Sequence, residues 1–234
     1  MSASRSTKDK QTYVRRMFAA IAGRYDLMNR LMTVGQDQLW RRYAVRQCAL
    51  PPDGWLLDVA TGTGDIGYEA LRMYPDLHVV GVDLTYEMLA VGQEKRGNGN
   101  LRFAGGDALA LPFPGDCFDA AISGFMMRNV TDIGAAFTEQ RRVVKPGGRI
   151  VCLEITHPEH PLLDLLFHIY FYRLVPLVGG IVSGNRGAYM YLPHSTTYFP
   201  PPEELKCIME AAGLRQVIYA RMGMGTVAVH VGIK

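Results

Sequence analysis

Residues 55–67 read WLLDVATGTGDIG, and they restrict the fold more tightly than any other stretch of the chain. The apolar run predicts a buried strand, and glycines at 62, 64 and 67 follow it with G-x-G-x-x-G spacing. A helical pattern then covers 65–73. Glycine lets a backbone turn sharply and approach a ligand, and the helix behind it presents unpaired N–H groups at an electropositive end. Strand, glycine loop and helix together predict a sheet that holds an adenosine-bearing molecule. The loop itself suits a pyrophosphate and a carboxylate equally.

The alternation continues. Strands are expected at 78–83 (HVVGVD), 101–105, 118–124 (FDAAISG) and 149–154 (RIVCLE), with helices at 86–95 and 132–143 between them. Apolar strands separated by helices imply a parallel sheet covered on both faces, a doubly wound α/β fold. The tail departs from this pattern. A helix at 203–213 leads into QVIYA (216–220) and TVAVHVGI (226–233), which RMGMG joins as an antiparallel hairpin. A parallel sheet finished by a hairpin is the seven-stranded, Rossmann-like arrangement of class I methyltransferases, not of dinucleotide enzymes.

Before this sheet, Val14, Met17, Phe18 and Ile21 repeat at helical spacing, and a second helix is expected at 38–48. Residues 1–12 lack an apolar core and read as a disordered start, so 13–234 form the single expected domain. Within it, 13–50 would be a helical lid and 155–200 a cap insertion. The stretch LLDLLFHIYFYRLVPLVGGIV (162–182) carries Asp164, His168, Arg173 and Pro176, which suits a cap helix that touches a membrane surface better than a bilayer span.

Net charge is +3, but residues 1–50 hold ten Lys/Arg against three Asp, or +7, which leaves −4 on the rest. A basic arm on an acidic body points to an anionic lipid surface or simply to a solvated helix face, and not to nucleic acid. The four cysteines are far apart, as expected of reduced thiols in a cytoplasmic protein. His157 and His160 have no evident third metal ligand, so no metal is expected.

Three acids address the choice of cofactor. Asp83 closes the second strand 19 residues after Gly64, where a carboxylate can accept from ribose hydroxyls of either NAD or S-adenosylmethionine. Asp58 lies four residues before Gly62; it would favour a sulfonium and repel pyrophosphate, or else cap the loop's own amides. Asp107, after the third strand, can accept from an adenine amino group. Thr61, Thr63, Leu84, Ala108, Ser123 and Gly124 complete the candidate S-adenosylmethionine set. Lys145–Gly148 (KPGG) reads as a turn before the fifth strand.

Two blocks, FAAIAGRYDLMNRLMTVGQDQLWRR (18–42) and GFMMRNVTDIGAAFTEQRRVVKPGGRIVCLEITHP (124–158), resemble the signatures of the ubiquinone/menaquinone-biosynthesis C-methyltransferases. The resemblance extends over nearly everything after residue 12. It implies methyl transfer from S-adenosylmethionine to a ring carbon of a demethylated prenyl quinol, most directly demethylmenaquinol. It also points to Arg128, Asn129 and Tyr25 as catalytic candidates. Arg128 would stabilise a phenolate or orient a water, unless it pairs with an acid such as Asp132; Asn129 would fix a ring oxygen; Tyr25, with Asp26, would close the lid. The chain departs from the family's F-G-L-R-N at Met126 and Met127, and from its Y-L-x-E-S at His194. These three residues, with Phe171 of the cap, are the expected substrate pocket.

Other expectations compete. One is a methyltransferase for small phenolic or secondary metabolites. The others are an NAD(P)-binding oxidoreductase and a non-catalytic lipid-surface module. A homodimer is left open.

Overall fold

The computed structural model describes residues 2–95, 101–183 and 186–234, so Met1 and residues 184–185 of the expected cap lie outside it. Three helices precede the sheet: α1 (Ser2–Ile21), α2 (Tyr25–Thr33) and α3 (Asp37–Gln47). The sheet then begins with β1 (Trp55–Val59), α4 (Asp65–Met73), β2 (His78–Asp83), α5 (Tyr86–Glu94) and β3 (Leu101–Gly105). It continues through β4 (Phe118–Gly124), α6 (Ile133–Val143) and β5 (Val144–Ile155). The cap is α7 (Pro161–Ile169), a π-helical turn (Tyr170–Leu174), α8 (Val175–Ser183) and α9 (Arg186–Thr197). Then α10 (Pro202–Ala211), β6 (Arg215–Met222) and β7 (Val227–Ile233) end the chain.

The seven strands lie in the order β3-β2-β1-β4-β5-β7-β6. β1 to β5 pair in parallel, and β7 runs antiparallel to both β5 and β6, as the hairpin pattern predicts. The central strands are buried over most of their length because both faces are covered. On one face Phe137 and Val143 of α6 and Leu205 and Met209 of α10 build a core; on the other, Trp40 and Val45 of α3 join Ile66 and Leu71 of α4. A third cluster, set apart from the sheet, joins Met17, Met28 and Met88 to Phe171, Val175 and Tyr189 of the cap.

Two expectations change. The segment 2–12, expected as a disordered start, falls within α1, which runs Ser2–Ile21. The KPGG turn is an excursion within β5. Phe118 pairs with Val144 and Ala120 with Arg149, so β5 advances five residues where β4 advances two, a gain of three at the bulge.

The basic arm is partly consumed within the fold. Arg30 and Arg41 pair with Asp37 and Asp65, Arg42 with Glu69, and Lys10 donates to the Val130 carbonyl. Pro161–Gly180 is helical, with mean hydropathy 1.4, and is long and apolar enough to cross a bilayer; only 22% of it is buried.

Candidate active site

Two cavities open at the carboxyl ends of the parallel strands, where ligands bind in open α/β sheets. The smaller, about 130 Å³, is lined by Gly62, Asp83, Leu84, Asp107, Ala108 and Gly124 from the strand-end loops and by Gln11, Val14, Arg15 and Phe18 from α1. The larger, about 340 Å³, lies under the cap. Tyr25 and Phe125 line both.

The small cavity follows from the glycine loop. Gly64 caps α4 with φ +82°, and a Cβ there would lie 2.9 Å from the Phe103 ring. Gly62 has φ +57° and nothing above it within 4 Å except the Tyr25 ring edge at 4.0 Å, so its backbone faces the cavity. Asp83 accepts from the N–H groups of Gly62 (2.9 Å) and Thr85 (2.7 Å), which aims its carboxylate across the loop. Burial pushes that carboxyl above its ordinary value. Asp107 accepts from Leu109 N–H at 3.0 Å and from Gln11 Nε2 at 2.6 Å, so α1 is tied down over this cavity.

Five residues of the proposed cofactor set support the loop from beneath instead of lining the cavity. Asp58, buried in β1, accepts from the Thr61 hydroxyl (2.6 Å) and Gly67 N–H (3.1 Å). It is the loop's own cap, not a wall of the cavity, and burial pushes its carboxyl up to about 7. Thr61 is spent on that bond, Thr63 donates to Asp26 (2.6 Å), Gly64 is the helix cap, and Ser123 is buried at the end of β4.

The large cavity is apolar along its outer walls and polar at its inner end. Leu163, Leu166, Phe167, Phe171 and Val175 come from the cap, and Trp40 from α3. Tyr25, Asn29, Asp37, Arg41 and Arg128 converge at the inner end. Burial pushes the Tyr25 phenol upward, opposed in part by the charges of Arg41 and Arg128.

Arg128 does not pair with Asp132, which instead caps α6 by accepting from Ala135 N–H at 2.9 Å. Its partner is Glu154 at the end of β5: Nη1 donates to one oxygen, and the Arg128 N–H lies 3.4 Å from the other. Both side chains are buried. Sequence reasoning missed Glu154, although an acid ending the apolar run RIVCLE needs a buried cation. The Arg128 guanidinium also lies 5.7 Å from the Phe125 ring centroid.

Asn129 lines the small cavity, not the large one. Its amide is already engaged: Nδ2 donates to Phe125 O (3.3 Å) and Oδ1 accepts from the Tyr191 hydroxyl (3.3 Å). Of the expected substrate pocket, only Phe171 lines the large cavity. Met126 lines the small one, and Met127 is fully buried in the sheet–α6 core, because consecutive side chains leaving a strand end diverge. His194 is exposed on the outer side of α9 against Tyr198 and touches neither cavity. His157 faces Asp164 at 3.1 Å and His160 caps α7.

A network the sequence did not announce anchors the lid to the loop. Asp26 bridges Thr63 and Lys95; Lys95 also meets Asp65 at 2.8 Å. Burial alone would raise the Asp65 carboxyl, but Arg41 and Lys95 hold it below its ordinary value.

Solved structures that share this fold include methyltransferases. A Thermotoga maritima S-adenosylmethionine-dependent methyltransferase, described as a possible histamine N-methyltransferase, superposes with TM-score 0.68 at 18% identity, covering 94% of this chain and 99% of its own. Human N-acetylserotonin methyltransferase does so with TM-score 0.62 at 18% identity, over 90% of this chain and 55% of its own. These likenesses show the fold, that of class I methyltransferases.

The ubiE/COQ5 methyltransferase family profile matches residues 6–234, and the chain belongs to that family. It is 47% identical over 225 residues to a demethylmenaquinone methyltransferase of Roseiflexus castenholzii, covering 96% of this chain and 94% of that one. It is 45% identical over 218 residues to the Thermus thermophilus demethylmenaquinone methyltransferase, covering 92% and 99%. It is also 41% identical over 221 residues to a ubiquinone/menaquinone biosynthesis C-methyltransferase of Desulfotalea psychrophila, covering 94% and 90%. Family membership sets aside the NAD(P) oxidoreductase and the non-catalytic module.

Proposed function

We propose that this enzyme transfers a methyl group from S-adenosylmethionine to a ring carbon of a demethylated prenyl quinol, demethylmenaquinol in the first instance. One observation carries the proposal: a cavity with acidic walls at the strand ends meets an apolar, cap-roofed cavity at Tyr25 and Phe125, with Arg128 at the junction.

The small cavity fits the donor. Asp83 keeps lone pairs for ribose hydroxyls, Asp107 and Ala108 border the region for an adenine edge, and Gly62 leaves its backbone open. Bound there, S-adenosylmethionine would supply an electrophilic methyl carbon and leave as the neutral thioether, keeping the C–S bonding pair.

The acceptor must be the reduced quinol, since a quinone ring carbon is itself electrophilic. Loss of a phenolic proton pushes electron density onto the ortho carbon, which forms the new C–C bond; loss of that carbon's proton then restores aromaticity. Arg128, oriented by Glu154, stabilises the phenolate inside a cavity of low polarity. Tyr25, which lines both cavities, holds the ring against the donor methyl and excludes water. The prenyl tail lies along Phe167, Phe171 and Val175, gaining roughly 0.8 kcal/mol per buried CH₂.

We assign the working location to the cytoplasmic face of a membrane, in peripheral contact. Val34 (84% exposed) and Met224 (73% exposed) rim the large cavity, and exposed Leu162, Leu165, Ile169 and Leu177 extend the apolar face along the cap. A bilayer-borne substrate would enter there. Replacing Leu162 and Leu165 together with serine should reduce co-sedimentation with anionic vesicles; unchanged binding would count against this contact.

The deciding assay is turnover with labelled S-adenosylmethionine and chemically reduced demethylmenaquinol, with a demethylated prenyl benzoquinol and a tail-less naphthoquinol in parallel. Methylation of the prenylated naphthoquinol, with weaker use of the tail-less one, is expected. Methylation of the benzoquinol alone would reassign the ring. No transfer to any of the three would discard the quinol acceptor.

A further inference from the structure

Arg41 has no task in the chemistry above. It lies on α3, is 7% exposed, and lines the large cavity at its polar end. Nε is 3.4 Å from Asp37 Oδ2 and Nη1 is 3.3 Å from Asp65 Oδ2. Neither acid depends on it alone. Asp37 is also held by Arg30 and by the Thr33 hydroxyl at 2.9 Å, and Asp65 by Lys95 at 2.8 Å.

The other terminal nitrogen, Nη2, has no acceptor among the described residues, and the same holds for Nη2 of Arg128. Both guanidiniums lie near enough to Tyr25 to act on its phenol electrostatically. Two nearly buried cations, each with an uncommitted N–H group, thus face one junction. The fully buried nitrogen of each guanidinium is Nε, whereas Nη2 is the N–H group left for a ligand oxygen, and a bond from a charged donor to such an oxygen is strong.

We infer that Arg41 is an anion-anchoring residue that offers Nη2 to a carboxylate or phenolate oxygen bound beside Tyr25. The inference rests on the methyl-transfer reading, which supplies two such oxygens. One is the amino-acid carboxylate of the donor; the other is the phenolate of the acceptor. A lysine at this position would spend its single ammonium on Asp37 and Asp65 and leave nothing for the cavity, whereas the guanidinium fork serves both sides.

The test uses the full chain carrying R41K or R41M, with fold checked by circular dichroism and melting temperature. Binding of S-adenosylhomocysteine, which bears the carboxylate, is compared calorimetrically with binding of 5′-methylthioadenosine, which lacks it. A loss of about 10–100-fold for the first and not the second assigns Arg41 to the donor carboxylate. Unchanged nucleoside binding with a similar rise in KM for the reduced quinol, and a pH–rate profile shifted to higher pH, assigns it to the phenolate.

R41K that binds both nucleosides and turns over the quinol as the wild type does overturns the inference, and it decides the matter if R41M fails to fold. The nucleoside measurements need no acceptor. A wild type that methylates none of the quinols therefore defeats the substrate assignment without deciding the carboxylate arm.

Discussion

The two cavities share a wall yet are built in opposite ways. The smaller, the proposed donor site, is made of strand ends, where backbone amides and short acids are fixed by the sheet: Asp83 on the amides of Gly62 and Thr85, with Asp58 beneath on Thr61 and Gly67. The larger, the proposed acceptor site, is walled mainly by helices packed on one another, with an apolar face largely open to solvent. One is specified by hydrogen bonds and tolerates little change; the other is specified by shape and apolar area and admits a variable tail.

The junction should be the most sensitive point. Arg128→Met leaves Glu154 buried without its cation, so a stability loss of about 3–5 kcal/mol is expected. Turnover should fall by about 10²–10³. Thermal melts and single-turnover rates measure the two separately, and wild-type turnover in a folded variant would remove Arg128 from the chemistry.

Asp58 sharpens the contrast on the donor side. Its carboxyl is pushed up to about 7, against about 3.9 in an unfolded chain. The fold therefore retains a proton that the unfolded chain has released. The associated stabilisation is complete below about pH 4 and is lost as pH rises through 7. Asp58→Asn keeps an acceptor oxygen and carries no charge. Between pH 4 and 8 its stability relative to wild type should improve by roughly 2–4 kcal/mol in urea titrations. A pH-independent difference would mean that Asp58 is ionised throughout.

Much of this fold was legible in the sequence. The strands at 78–83, 101–105 and 118–124 fall where the apolar runs place them, because a two-sided core imposes that pattern directly. The site was legible only where a local motif fixes it: Gly62, Asp83, Asp107 and Gly124 line the smaller cavity at the strand ends, where the loop pattern places them. Glu154, Arg41 and Gln11 were not, since each acquires its role from a partner far along the chain. Nor does a dipeptide such as Met126-Met127 disclose which side chain turns inward.

Smaller effects separate the regions further. Asp83→Ala should weaken S-adenosylhomocysteine binding about 10–100-fold by calorimetry without altering KM for the quinol. If both parameters move together, the two cavities are not independent recognition sites. Phe171→Ala should do the reverse, raising KM for the prenylated quinol severalfold and leaving the tail-less one unaffected. His194→Ala, on the outer face of α9, should change stability by less than about 0.5 kcal/mol and leave turnover intact. A tenfold loss would return that histidine to the mechanism.

Tyr25 belongs to both cavities, with its ring edge over Gly62 on one side and its hydroxyl among Asn29, Arg41 and Arg128 on the other. A single ring that walls two binding sites makes their occupancies thermodynamically linked: whatever the donor does to the ring's position is felt as a change in acceptor affinity, and by reciprocity the acceptor alters donor affinity by the same factor.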